Sequence, residues 1–399
     1  MSDNVILVMA VAERLKMMKK ILTFFKKETV LCVSLMLAAV SMFIVPPDKD
    51  YLEYIDFRTL AILFCLMSVM AGLQKAGVFG RIAKRLMDHV KSGRGLILTL
   101  VLLCFFSGMF ITNDVALITF VPFTFIVLGM LGDGQKDRLA LPVVVMQTIA
   151  ANLGSMLTPV GNPQNLYLYG KAGLSIREFL MLMLPYTLLS LVLLAVWSLI
   201  QGRTWPQVIR TGETCLPDDL PHKKGVTYRI AVYLVLFLLC LFTVAHILPW
   251  QAVFFAVIIV VAAADRQVFV KVDYSLLLTF ACFFVFVGNI GRIPAFRSFL
   301  EDMIAGREVY TAIAVSQIIS NVPAALLLSG FTEDFAGLIV GTNLGGLGTL
   351  IASMASLISY KYVAKETEGC KGKYIALFTA GNVFFLAALV LMKILLGTM

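Results

Sequence analysis

Runs of predominantly apolar residues recur along the whole chain, each about as long as the 17–25 residues that a helix needs to cross a bilayer. The sequence is 60% hydrophobic and 14% charged, and its mean hydropathy is +0.91. Soluble domains are roughly 45–50% apolar, so this composition excludes a soluble globular protein. It predicts an all-α polytopic membrane protein.

Nine full spans are predicted, at residues 30–46, 58–74, 140–170, 178–200, 230–247, 250–264, 275–290, 335–360 and 374–396. Two further apolar segments, 96–131 and 309–331, are interrupted by short polar sequences. At about 1.5 Å per residue, neither arm of the second segment crosses a core of about 30 Å, which predicts a re-entrant hairpin. The arms of the first are just long enough to cross. We assign it as a hairpin like its counterpart, with two full spans as the alternative.

Basic residues indicate the orientation of the chain. Most of the 33 lysines and arginines fall in the loops that lie on the same side as the N-terminus. Because cytoplasmic loops carry the excess of basic residues, the N-terminus is predicted inside and the C-terminus outside the cytoplasmic membrane. The net charge of +9 is spread over short loops. We therefore predict the lipid bilayer as a partner, and no nucleic acid.

The order of elements indicates an internal duplication. After a basic cytoplasmic N-terminus (1–29), residues 30–201 and 250–399 each contain two spans, a hairpin, a broken span and a final span. A cytoplasmic linker and one connecting span (202–249) separate them. Each unit crosses the membrane four times, so the single connecting span inverts the second. This predicts an inverted-topology repeat whose hairpin tips enter from opposite faces and meet near the midplane.

The polar hairpin tips are the first candidate binding elements. They read Thr112-Asn113-Asp114 and Ser320-Asn321-Val322-Pro323. Ser, Thr and Asn cap helices and Pro is tolerated in a first turn, so each tip ends one half-helix and begins the next. The new N-terminus offers N–H groups to an anion, whereas leftover carbonyls and Asn side chains suit Na⁺. Ordinary capping in a protein-packed kink is the alternative.

Each hairpin is followed by a span that carries Asn-Leu-Gly, at Asn152-Leu153-Gly154-Ser155 and at Asn343-Leu344-Gly345. Prolines and glycines that follow the first of these segments predict an interruption of the helix there. Thr158, Asn162 and their neighbours Gln164 and Asn165 add polar groups that need partners at that depth. Close packing of small residues between helices is the alternative explanation for the glycines.

Asp114 is the only acidic residue well inside an apolar segment. A carboxylate at that depth is a candidate cation ligand or proton acceptor. The alternative is an acidic N-cap that interacts with the helix dipole.

Motifs for catalysis are absent from the sequence. It contains no HExxH, GxSxG or Walker A sequence and no His/Cys/carboxylate cluster with metal-ligand spacing. We predict that the protein is not an enzyme, that it has no cofactor other than Na⁺ or H⁺ as coupling ion, and that it binds no metal beyond a possible Na⁺.

The tips and breaks together resemble the ion transporter superfamily, which includes divalent-anion/sodium symporters, citrate-transporter-like permeases and arsenite-pump-like proteins. ITNDVALITFVPF and NLGSMLTPVGNPQNLYLY are most similar to the last two branches. The resemblance implies a homodimer with a fixed scaffold and a mobile part that carries substrate in an elevator-type movement. It also implies one coupling-ion site between each tip and its Asn-Leu-Gly segment, with the anion between the tips. The dicarboxylate symporters have Ser-Asn-Thr at both tips, and this chain does not.

We therefore predict a secondary active transporter of a small anion, a carboxylate or inorganic oxyanion, coupled to Na⁺ or H⁺. The alternatives are an arsenite-type efflux permease or a cation/proton antiporter in which Asp114 titrates; a passive channel is a further one. The predicted substrate-binding residues are Thr112, Asn113, Thr158, Asn162, Ser320 and Asn321. The predicted coupling-ion residues are Asn113, Asp114, Asn152, Gly154, Ser155, Asn321, Asn343 and Gly345.

Overall fold

A computed structural model describes residues 28–87, 89–90, 92–129, 133–202, 226–367 and 369–397. The predicted basic N-terminus, apart from its last two residues, lies outside the described residues. So does most of the predicted linker, residues 203–225.

The described residues form eighteen α-helices and one 3₁₀ helix. The helices are α1 (Thr29–Ile44), α2 (Tyr51–Tyr54), α3 (Phe57–Lys75), α4 (Val78–Met87), α5 (Gly93–Ile111), α6 (Asn113–Gly129), α7 (Asp133–Ser155), α8 (Pro163–Ala172), α9 (Ile176–Gln201), α10 (Val226–Val244), α11 (Trp250–Asp265), the 3₁₀ helix (Arg266–Lys271), α12 (Tyr274–Gly291), α13 (Pro294–Ile304), α14 (Glu308–Ile319), α15 (Asn321–Leu328), α16 (Phe335–Gly345), α17 (Met354–Glu366) and α18 (Lys371–Gly397).

The prediction of an all-α polytopic membrane protein is confirmed. Within the described residues, seven helices are long and apolar enough to cross a membrane, and four shorter apolar helices accompany them. Large apolar side chains lie exposed along these helices, as lipid contact requires; Phe43 is 89% exposed. Each predicted span coincides with one helix or with two consecutive helices separated by a break.

The two predicted hairpins differ in length. The arms of the first, α5 and α6, have 19 and 17 residues, whereas those of the second, α14 and α15, have 12 and 8. In both, one residue separates two helices that pack against each other. The first pair is close to the length of a membrane crossing and the second is far from it.

Short helices in predicted loops are the main departure from the sequence expectation. The segments 75–94 and 291–308, which lie outside the predicted spans and hairpins, contain α4 and α13. In α4 the buried side chains are Phe79, Ala83 and Met87, spaced four residues apart along one face. An amphipathic helix of ten residues has too few apolar side chains to stand out in a search for membrane-length runs.

The described helices form two compact units. The smaller contains α1, α2 and α12. There Asn289 donates to Ser41 Oγ at 3.0 Å and to Tyr51 Oη at 2.8 Å. Arg292 pairs with Asp48 at 2.6 Å, and this hydrogen bond lowers the pKa of the Asp48 carboxyl.

The larger unit contains α3 to α11, α14 to α18 and both hairpins. In its interior α5 packs along α7, and α14 packs along α16. Each hairpin therefore packs against the helix that carries its own Asn-Leu-Gly segment.

Candidate functional site

The two hairpin tips share one unusual backbone conformation. Thr112 has φ 68° and ψ 149°, and Ser320 has φ 77° and ψ 154°. This region is essentially restricted to glycine, and other residues adopt it only where the surrounding structure enforces it, commonly at functional sites. In this conformation a single residue, Thr112 or Ser320, ends one helix and begins the next.

The tip asparagines begin the second arms. Asn113 Oδ1 accepts from the N–H of Asp114 at 2.9 Å, while Thr112 and Ser320 carbonyls accept the first helical bonds of α6 and α15. Each tip thus places the N-terminus of a helix beside an amide side chain. Asp114, which the sequence predicted as a coupling-ion residue, lies in the first turn of α6 and is half-buried.

The helix interruption that follows each Asn-Leu-Gly segment, between α7 and α8 or between α16 and α17, is called a break below. Each break is hydrogen-bonded to its own hairpin in the same way. Thr158, six residues after Asn152, donates its hydroxyl to the carbonyl of Met109. Thr349, six residues after Asn343, donates to the carbonyl of Gln317 at 3.2 Å. Met109 and Gln317 each precede their tip asparagine by four residues. The two halves of the larger unit therefore repeat one arrangement of contacts.

The breaks also contact each other. Asn152 Oδ1 accepts from Asn113 Nδ2 at 2.9 Å and from Ser353 Oγ at 3.0 Å. Asn343 Nδ2 donates to Asn165 Oδ1 at 2.6 Å. Ser353 follows the second break and Asn165 follows the first, so each asparagine bonds a residue beyond the other half's break.

A continuous chain of contacts connects the two tips. From Asn113 it passes through Asn152 to Ser353, and the adjacent Ala352 carbonyl accepts from the N–H of Asn321 at 3.0 Å. The Ser320 hydroxyl donates to the same carbonyl at 3.4 Å. The structure thus brings the residues predicted from the two halves into one polar cluster.

Ser155 and Asn162 complete the first half. Asn162 Nδ2 donates to Ser155 Oγ at 2.7 Å, and that hydroxyl donates to the Asn152 carbonyl at 2.8 Å. Gly154 and Gly345 have a packing role. A Cβ at Gly154 would overlap the Phe105 backbone, and one at Gly345 would lie 2.6 Å from Ser316 Oγ.

The cluster is buried and carries little charge. Asn113, Asn152, Asn162, Asn321 and Asn343 are each no more than 6% exposed. Several buried side-chain atoms have no hydrogen-bond partner in the part of the chain that the structure describes: Asn152 Nδ2, Asn343 Oδ1, and both polar atoms of Gln164. Buried polar atoms are nearly always paired, so these are the atoms that a ligand or water would satisfy.

Four residues of the cluster were not among the predicted site residues: Asn165, Gln317, Thr349 and Ser353. The signal for Thr349 is its spacing from Asn343, which repeats that of Thr158 from Asn152. Gln317 lies in an ordinary helical sequence, four residues before a tip. No group of three or more potential metal-binding His, Cys, Asp or Glu side chains occurs among the described residues.

Comparison with known proteins agrees with this architecture. The sequence profile described as citrate transporter matches residues 8–337. The chain belongs to the citrate transporter family. It is therefore a multi-pass membrane transporter, as the sequence predicted.

Its relatives include transporters from bacteria, archaea and plants. Inner membrane protein YbiR of Escherichia coli is 31% identical over 329 residues, covering 80% of this chain and 84% of the relative. The uncharacterized transporter MJ0456 of Methanocaldococcus jannaschii is 31% identical over 315 residues, covering 78% and 82%. Silicon efflux transporter LSI3 of rice is 28% identical over 181 residues, covering 45% and 35%.

Proposed function

We propose that the protein is a secondary active transporter that moves a small anion, a carboxylate or an inorganic oxyanion, with Na⁺ or H⁺ as coupling ion. The observation that carries this proposal is the chain of polar contacts from Asn113 to Asn321. This chain of contacts joins two helix interruptions in apolar segments. A continuous apolar helix in their place would leave no polar group unpaired. Polar interruptions at such depth are tolerated where they line a cavity or pathway.

The anion is proposed to bind between the tips. The helices α6 and α15 begin at Asn113 and Asn321, so their N-terminal N–H groups and positive dipole ends face the polar cluster. Thr112, Thr158, Asn162 and Ser320 are the further proposed substrate-binding residues. No arginine or lysine belongs to the cluster described above. An anion of low charge therefore fits it better than one of high charge.

The coupling cation is proposed to bind in the first half. Asn113 Oδ1, the Asp114 carboxylate, the Asn152 side chain and Ser155 Oγ supply the oxygen ligands that a hard cation prefers. Asp114 is the one group of this set that can instead take up a proton.

Assembly and orientation are also proposals. Resemblance to the ion transporter superfamily supports a homodimer, an elevator-type movement and an inverted repeat. Loop charge supports insertion in the cytoplasmic membrane with the N-terminus inside and the C-terminus outside. Membership of the family supports a transport role, and we propose that the protein has no catalytic activity.

Efflux is the second candidate, by an arsenite-type permease or a cation/proton antiporter, because the rice relative is named a silicon efflux transporter. Asp114→Asn distinguishes the two mechanisms. A proton antiporter that titrates Asp114 loses exchange, because asparagine cannot take up the proton. A sodium-coupled anion carrier keeps an amide oxygen as ligand, so it retains a sodium response, shifted to higher Na⁺ concentration.

Uptake into proteoliposomes under an imposed Na⁺ or H⁺ gradient tests the proposed function. Asn113→Ala and Asn321→Ala should each reduce gradient-driven uptake by about tenfold or more, since loss of one buried polar contact of 1–3 kcal/mol changes a rate by that order. The matched control is Asn289→Ala, a buried asparagine of the smaller unit that bonds Ser41 and Tyr51. Normal uptake by both correctly inserted tip variants would contradict the proposal.

A further inference from the structure

We propose that the side-chain amide of Gln317 takes the place of a coupling cation in the second break, so that a single cation, bound in the first break, accompanies each anion. This inference rests on the proposed function and specifies its coupling ratio. It departs from the symmetric arrangement implied by the family resemblance, in which each half holds one cation.

The side-chain amide of Gln317 contacts the kind of groups that bind a small cation. Its Nε2 lies 3.0 Å from the carbonyl of Gly345, 2.9 Å from that of Leu347 and 3.2 Å from that of Ile313. These are carbonyls left over where α16 ends, together with one from the hairpin arm. Such carbonyls at broken helices are the groups that coordinate Na⁺ in transporters with interrupted helices. Here an N–H₂ group already occupies the space between them.

The opposite end of the same amide is also fixed. Gln317 Oε1 accepts from the N–H of Thr349 at 2.9 Å, and the Gln317 carbonyl accepts from the Thr349 hydroxyl at 3.2 Å. Because Oε1 faces a donor, Nε2 must face the carbonyls. The amide therefore cannot turn round to offer its oxygen to a cation.

The second break is shaped to admit this side chain. Gly348 has φ +116°, which other residues rarely adopt, and a Cβ there would overlap Gln317 Oε1. The equivalent position in the first break is Leu157, and Gly346 replaces Ser155. Gly348 is thus the residue that leaves room for the glutamine, whereas a Cβ at Gly346 would lie 3.0 Å from Asn321 Nδ2.

The first break lacks such a substitute. Met109 stands at the position equivalent to Gln317, and its thioether has no hydrogen to donate. The same half carries Asp114 and Ser155, where the second carries Val322 and Gly346. At the tip and the break, the oxygen ligands and the carboxylate thus lie in the half that has no amide in the cation position.

The coupling ratio tests this inference directly. Wild-type protein in proteoliposomes is set against opposing gradients of the anion and of the driving ion, and the gradients at which net flux vanishes give the ratio. We expect one driving ion for each anion. A ratio of two overturns the inference and leaves the proposed function intact. Absence of any gradient-driven flux overturns the proposed function itself.

A second measurement needs no transport. Gln317→Glu keeps the shape of the side chain but replaces Nε2 with an oxygen against three carbonyls, which creates a site that requires a cation. Its unfolding temperature should be below that of the wild type in choline chloride and should recover when NaCl replaces choline. Gln147→Glu is the matched control, because the buried Gln147 amide donates to a single carbonyl, that of Leu100. Equal stability of Gln317→Glu and wild type in choline would overturn the inference.

Discussion

At the scale of single residues, the positive φ of Thr112 and Ser320 is the feature most closely tied to the proposed site. Both side chains stand in a backbone region that disfavours every residue with a Cβ, and both do so one residue before a buried asparagine. The same strain in both halves indicates that a helix reversal over one residue is required at each tip.

Relief of this strain should be measurable. Thr112→Gly is expected to raise the free energy of unfolding by about 1 kcal/mol, because glycine adopts this conformation without steric conflict. Thr119→Gly, in the body of α6, should lower it by about the same amount, since glycine weakens a helix interior. Thermal unfolding of both variants in detergent checks the pair. A loss of stability in Thr112→Gly equal to that in Thr119→Gly would contradict strain at the tip.

At the scale of elements, the hairpins are held against the broken helices by close backbone approach. Gly154 has no room for a methyl group, since a Cβ there would overlap the backbone of Phe105 in α5. Backbone cannot move aside as a side chain can. The contact therefore fixes the position of the first break relative to the first hairpin.

Gly154→Ala should therefore destabilise the protein by about 1–3 kcal/mol, the usual range for overpacking in a close-packed interior. Gly170→Ala provides the matched control, because a Cβ at that helical glycine meets nothing within 4 Å. Alanine there should gain up to about 1 kcal/mol from helix propensity. Comparable unfolding temperatures for the two variants would show that the close approach does not occur.

The sequence predicted these elements well for a physical reason. Hydrophobic length, helix caps and glycine or proline breaks are local properties, so the spans, the tips and the Asn-Leu-Gly segments could all be read from short windows. The pairing of Ser353 with Asn152 and of Asn165 with Asn343 could not, because it depends on which distant segments meet. Gln317 could not be predicted either, because its contacts arise only when the carbonyls of a different helix surround it.

At the scale of the whole molecule, a buried polar cluster inside an all-α membrane protein of the citrate transporter family is consistent with a transport site. The central claim is that both tips face one aqueous pocket. The polar residues that would line this pocket are in contact with one another, and most of their neighbours along the chain are apolar. A buried polar cluster of this kind is functional only if water and solutes reach it.

Reaction of single cysteines with a charged, water-soluble thiol reagent tests this claim most directly. In a cysteine-free background reconstituted in membranes, Asn113→Cys and Asn321→Cys should both react, because water reaches the pocket that they line. Val383→Cys, on an exposed apolar face of the membrane-length helix α18, should not react if that face lies against lipid. If both tip cysteines were as unreactive as the one at position 383, the tips would be dry packing elements, and the account of a shared transport site would be wrong.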